Sequence, residues 1–80
     1  MNISIDESVE EYSNMIMHIA YQNSFNKSDA EDITQEVFIK LMHNLDKIDT
    51  KEHLKAWLIR VTINLSKDYN KSFWNKKFRI

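Results

Sequence analysis

Apolar residues recur at helical spacing in three stretches of the chain, with polar residues filling the intervals. In the first stretch Ile5, Val9, Tyr12, Ile16 and Ile19 follow steps of four, three, four and three. In the second, Ala30, Ile33, Val37, Leu41 and Leu45 keep to steps of three or four. In the third, Leu54, Leu58, Val61 and Leu65 share a face, with Trp57 at its edge. Each stretch opens with a capping-box pattern, a side-chain acceptor three residues before an acid: Ser4 with Glu7, Ser28 with Glu31, and Asp49 with Glu52. The pattern predicts an all-α fold, a small bundle of three main helices. Asn23 to Asn26 and Asn44 to Thr50 form the connections, and connections this short make the helices close neighbours. Residues 71–80 either extend the third helix or fray; Phe73, Trp74 and Phe78 there are too apolar for a comfortable solvated tail.

Composition sharpens this picture by what it removes. Eighty residues amount to one small domain, 1–80, with no linker, repeat or low-complexity tract. There is no Cys, which excludes disulfides, thiol nucleophiles and thiolate metal sites and suits the cytoplasm. There is no Gly and no Pro, which excludes glycine-rich phosphate loops, dinucleotide fingerprints and Asn-Gly hairpins. The turns must then rely on Asn and Asp, which tolerate left-handed backbone better than other residues. No apolar run approaches the ~18 residues of a membrane span, and Met1 to Asp6 lacks a basic-then-apolar signal. A cytoplasmic protein with no membrane partner is expected.

The net charge of −1 conceals a division. Residues 1–50 carry ten acids against three Lys, whereas residues 51–80 carry eight Lys or Arg against two acids. Two partner surfaces of opposite sign would explain this, and so would a dipolar domain whose halves attract each other.

The polar helix faces carry more detail. On a wheel of about 100° per residue, Asp32, Glu36, Ile39 and His43 of the second helix fall together opposite its core side. Gln35 and Met42 lie on one flank of that stripe and Asp29 on the other. An acidic stripe is ordinarily a solvated face, but an Ile set within one is the signature of protein contact. Asp29 and Glu31 also favour the dipole of the helix start, and for Glu31 that is the better reading. On the third helix Arg60, Asn64, Lys67 and Lys71 recur at steps of four, three and four. Such a line can follow a nucleic-acid backbone, and Asn can add hydrogen bonds to a base edge. Ile59 and Ile63 lie beside it and away from the core side, which a buried central helix would explain equally well. Trp57 borders both faces, as a core residue or as a stacking platform for a base.

Catalysis finds no support. His18, His43 and His53 lack ligand-like spacing, a carboxylate pair such as Asp32 and Glu36 is ordinarily solvated, and no Ser or Thr has a positioned base. No enzyme, no cofactor and no metal site is expected.

The run Asp29-Ala30-Glu31-Asp32-Ile33-Thr34-Gln35-Glu36-Val37-Phe38 resembles the signature helix of bacterial sigma factors of the extracytoplasmic-function (ECF) type. Leu54-Lys55-Ala56-Trp57-Leu58-Ile59-Arg60 follows at the family's distance, then Asn64 and Asp68-Tyr69 in the family's register. The two blocks together look like sigma region 2, and the resemblance runs from about Tyr12 to Lys71. It implies a transcription-initiation module that docks on core RNA polymerase through the clamp helices of the largest subunit. Asp29, Asp32, Gln35, Glu36 and Ile39 would carry that contact. It also implies contact with promoter DNA, holding the non-template strand of the minus-ten element open with a base captured by the loop Asp46 to Lys51. Ile48 is that loop's apolar residue; Lys55, Trp57, Ile59, Arg60, Asn64, Lys67 and Lys71 match the DNA-facing helix. Ile48 and Ile59 stand where family members commonly carry aromatics, so stacking there becomes plain apolar contact.

The chain ends without the helix-turn-helix domain that reads the minus-thirty-five element. The resemblance therefore implies either a piece of a longer sigma factor or a short subunit partnered by a second sigma subunit. An anti-sigma factor is a further expected partner. The competing expectation is a protein-interaction module without a DNA role, as a sigma-like decoy or an anti-sigma target.

Overall fold

The computed structural model describes residues 3–24 and 26–78, with side chains as far as residue 70. Helix α1 spans Ile5–Gln22, α2 spans Lys27–Asn44 and α3 spans Lys51–Phe78, with a single 3₁₀ turn at Leu45–Lys47. There is no strand among the described residues, so the all-α bundle is as expected. Each helix packs against the other two, and the principal extents are 50 × 21 × 16 Å. At about 1.5 Å per residue, α3 is roughly 42 Å long, well beyond the reach of its two partners. The described backbone of α3 is helical as far as Phe78. The side chains of Lys71, Phe73, Trp74 and Phe78 lie outside the described residues.

The helix starts follow capping chemistry, though at two of three sites not at the residue expected. Ser4 does cap α1, its Oγ accepting from the Glu7 N–H at 3.3 Å. At α2 the cap is Asn26, whose Oδ1 accepts from the Asp29 N–H at 2.8 Å. Ser28 already stands inside the helix. At α3 Thr50 takes the place expected of Asp49, its Oγ1 accepting from the His53 N–H at 3.0 Å. A helix tolerates acids throughout its first turn because of the dipole. Glu31 and Glu52 therefore do not mark a cap three residues upstream.

The helix ends show how a chain without glycine stops a helix. No described residue adopts positive φ, which corrects the expectation of left-handed Asn. Asn23 ends α1 at φ −109°, ψ 8°, and its Nδ2 donates to the Ile19 carbonyl at 2.8 Å. Asn44 does the same at the end of α2, Nδ2 donating to the Lys40 carbonyl at 2.7 Å. The amide side chain thus satisfies a terminal carbonyl that a left-handed glycine would otherwise satisfy through backbone.

Tyr12, Ile16 and Ala20 of α1 meet Ala30, Ile33, Val37, Phe38 and Leu41 of α2 and Leu54, Leu58 and Leu65 of α3 in one core. Ile5, Leu45, Val61 and Trp57 are partly buried against it. Val9, expected inside, is 38% exposed. Ser8 is buried in its place, beside a small crevice that Ser4, Glu7 and Glu11 share with Lys51 and Leu54 at the start of α3. Two small polar residues, Thr62 and Ser66, are fully buried on α3. Thr62 Oγ1 donates to the Leu58 carbonyl at 2.6 Å and Ser66 Oγ to the Thr62 carbonyl at 2.8 Å. Their hydroxyls are satisfied within their own helix, so they cost little to bury. From α3, Asn70 Nδ2 donates across to the Asn23 carbonyl at 2.7 Å and ties the long helix to the α1–α2 turn.

Replacing Asn26 with Ala should cost about 1 kcal/mol of stability in urea unfolding, while Ser28→Ala should cost much less. Equal losses would return the cap to Ser28.

Candidate protein-contact and nucleic-acid faces

The acidic face of α2 is laid out as its helical register dictates. Asp32 and Gln35 are exposed, Asp29 and Glu36 are half-buried, and Ile39 and Met42 are 54% and 57% exposed. Two large apolar side chains thus stand in water on the acidic face, about one and two turns beyond Glu36. His43 closes this face, its Nδ1 lying 3.3 Å from the Ile39 carbonyl.

The crossing of α3 over α2 adds residues that the α2 wheel cannot show. Leu65, Asp68 and Tyr69 join Glu36 around a crevice of about 300 Å³. The Tyr69 phenol is held above its ordinary pKa, first by partial burial and then by the carboxylates of Asp32, Glu36 and Asp29. Three acids of one helix therefore act on a phenol of another, which places Tyr69 on the border of the acidic face. The adjacency depends on how α2 and α3 pack, so no periodicity within either helix announces it.

On the outer side of α3, Arg60, Asn64 and Lys67 are exposed and Trp57 is half-buried. All four fall within an arc of about 80° at 100° per residue. The other expected DNA residues are placed differently. Ile59 is half-buried beside the stripe, as is Ile63. Lys55 is exposed, but lies about 140° around the helix from Arg60 at that same periodicity. Ile48 is only 4% exposed and belongs to the core. Its side chain is spent on anchoring the loop between α2 and α3, because an isoleucine has no polar end to draw it back to solvent. With Lys55, Ala56, Arg60, Asn64 and Lys67 exposed, α3 is not a buried central helix. Its two apolar sides are a core side and a half-covered flank.

Among the described residues there is no cluster of three or more His, Asp or Glu arranged to hold a metal. Nor is any described helix long and apolar enough to cross a membrane.

Residues 8–74 match the family described as sigma-70 region 2. The chain belongs to that family. It is 37% identical over 65 residues to the ECF RNA polymerase sigma factor SigE of Mycolicibacterium smegmatis, covering 81% of this chain and 25% of that protein. It is 37% identical over 60 residues to the ECF RNA polymerase sigma factor SigW of Bacillus subtilis, covering 75% of this chain and 32% of that protein. A shorter match, 38% identical over 42 residues, joins it to the RNA polymerase sigma factor NccH of Alcaligenes xylosoxydans xylosoxydans. The chain thus spans between a quarter and a third of the length of its two longer-matching relatives. No solved structure gives a significant match. Region 2 of an ECF-type sigma factor is the identity that these matches support, and both quoted sequence blocks lie within the matched span.

The raised Tyr69 pKa has a sign that can be tested. The fold favours the neutral phenol, so this group's contribution to stability is complete below about pH 10. It is lost as pH climbs through the higher folded value. Comparing tyrosinate absorbance of the parent with Tyr69→Phe should isolate a late-ionising phenol. Asp32→Asn with Glu36→Gln should move that step down without restoring the ordinary value, since burial remains. An unmoved step would separate Tyr69 from the acidic face.

Proposed function

We infer that this domain acts in transcription initiation, joining core RNA polymerase to promoter DNA through two faces of one small bundle. The observation that carries the reading is the segregation of these faces in a sigma region 2 fold. The α2 face is acidic and presents bare Ile39 and Met42; the α3 face is cationic and amide-bearing. Asp29, Asp32, Gln35, Glu36 and Ile39 dock on the clamp coiled coil of the largest polymerase subunit. The carboxylates steer and select the partner, while Ile39 supplies area that loses water on contact.

The α3 stripe takes the non-template strand of the minus-ten element. Arg60 and Lys67 neutralise phosphates, Asn64 meets a base edge or sugar, and the Trp57 ring borders the point where the strands part. Holding an unpaired base must repay a few kcal/mol of unstacking. Contacts available only from single-stranded DNA can do this without ATP, by trapping openings that arise thermally. The role of Ile48 is to place the loop rather than to touch the base. Binding of DNA by the free domain should be weak, on the order of 10⁻⁴–10⁻⁶ M at physiological salt for non-specific contacts. Docking on polymerase then raises the effective concentration at the promoter.

Glu36→Lys should abolish retention of core RNA polymerase on the immobilised chain while leaving the helical circular dichroism unchanged. Retention at the parental level would remove Glu36 from the interface.

Asn64→Ala and Lys67→Ala should keep polymerase retention but slow promoter opening, by roughly tenfold for each lost charge-assisted or amide contact. Parental opening in both would mean that α3 does not face the DNA, leaving a protein-interaction module.

A further inference from the structure

His53 sits where the loop after α2 turns into α3, and two contacts hold it there. Its backbone N–H donates to Thr50 Oγ1 at 3.0 Å, and its ring Nδ1 accepts the backbone N–H of Asp49 at 3.4 Å. The neighbouring Ile48 is buried in the core, so the backbone that donates to the ring is itself anchored. A ring nitrogen that accepts a hydrogen bond carries no proton. In the neutral imidazole the proton then resides on Nε2, on the other side of the ring. The Asp49 bond thus selects a tautomer and leaves Nε2–H as a donor, for which no acceptor is found among the described residues.

The helical register puts this donor in significant company. His53, Trp57, Arg60, Asn64 and Lys67 follow steps of four, three, four and three, the same line that forms the outer stripe of α3. His53 is half-buried, like Trp57 one turn on, whereas the three residues beyond them are exposed. The stripe therefore begins one turn before Trp57, with an imidazole held on the loop rather than swinging in solvent. A held donor loses little side-chain entropy when it binds.

We propose that His53 is the first nucleic-acid contact of the α3 stripe, giving its Nε2–H to a hydrogen-bond acceptor on single-stranded DNA. The acceptor is a phosphate oxygen or the edge of an unpaired base. This deepens the reading of α3 as the DNA face and rests on it.

Two substitutions separate an outward contact from a purely local tie. His53→Asn keeps an acceptor close to the Nδ1 position and can retain the Asp49 bond, but has no donor at the outer position. His53→Gln carries an amide N–H out to about the Nε2 position and gives up the inner acceptor. The measurement is anisotropy of a fluorescein-labelled single-stranded minus-ten oligonucleotide, binding the chain already loaded on core RNA polymerase. A scrambled strand of equal length serves as the control, and polymerase retention and circular dichroism are checked for each variant.

His53→Asn should weaken binding of the minus-ten strand by roughly five- to tenfold, with His53→Gln staying near the parent. A loss shared by the scrambled strand, with a shallower salt dependence, assigns the acceptor to phosphate; a loss confined to the promoter strand assigns it to a base. Parental binding by His53→Asn overturns the proposal. So does an equal loss in both variants, or a loss in His53→Gln alone, since each traces the effect to the loop. Failure of the parent to bind the single strand overturns the α3 reading itself, and is told apart by its showing before any substitution.

Discussion

One constraint governs this fold: α3 lines the core along one side while its other side stays exposed to solvent. A domain of this size has a single layer of side chains between its helices, and α3 contributes Leu54, Leu58 and Leu65 to it. Thr62 and Ser66 complete that side, buried but small, with hydroxyls turned back onto carbonyls of the same helix. A larger residue at either place would push α3 outward. A polar one without a local partner would carry a desolvation cost that a marginal domain cannot absorb. The narrow seam leaves the arc bearing Arg60, Asn64 and Lys67 clear of the bundle, with Trp57 at its border.

The acidic and cationic faces follow from that arrangement. α2 keeps its carboxylates and Ile39 outward because Ile33, Val37, Phe38 and Leu41 claim the inward side. α3 passes close enough to α2 for Tyr69 to feel the α2 acids, so the acidic face includes part of the third helix. The sign of the surface thus changes around α3 itself: Asp68 and Tyr69 belong to one region, Lys67 to the other. Under the proposed function, a phosphate backbone on α3 would be attracted along one line and repelled at its border with α2. The border would thus help to limit the path a strand can take.

The bundle was readable from periodicity because apolar spacing reports which side of a helix is dry, and Leu54, Leu58, Ile33 and Ile16 all fell inside. Caps were harder to read. A Ser three residues before an acid also arises within a helix, Asn26 with Asp29 fits the same spacing as Ser28 with Glu31, and Thr50 caps α3 with no acid at the matching place. Val9, counted in the apolar series, is exposed, and Phe38, left out of it, is buried, because neighbouring helices set the edges of a buried side. Ile48 looked available as a loop residue, yet a lone isoleucine in a polar loop beside a core is drawn into it. Tyr69 and His53 were unreadable for different reasons. One depends on a contact between helices; the other depends on a single backbone N–H choosing a ring nitrogen.

The use of asparagine at the helix ends has a kinetic consequence. Asn23, Asn26 and Asn44 satisfy helix termini through bonds that span only three or four residues. Those bonds can form as soon as each helix does, before any distant contact is made. The chain has no proline, so no slow isomerisation of tens of seconds delays refolding. Small helical bundles with connections this local fold in roughly microseconds to milliseconds. A domain so slight is lost easily, but it is also regained on a timescale far shorter than that of proteolysis or synthesis. Because return outruns cleavage, its exposure to proteolysis follows the equilibrium fraction unfolded, and its endurance in a cell rests on the depth of the folded well.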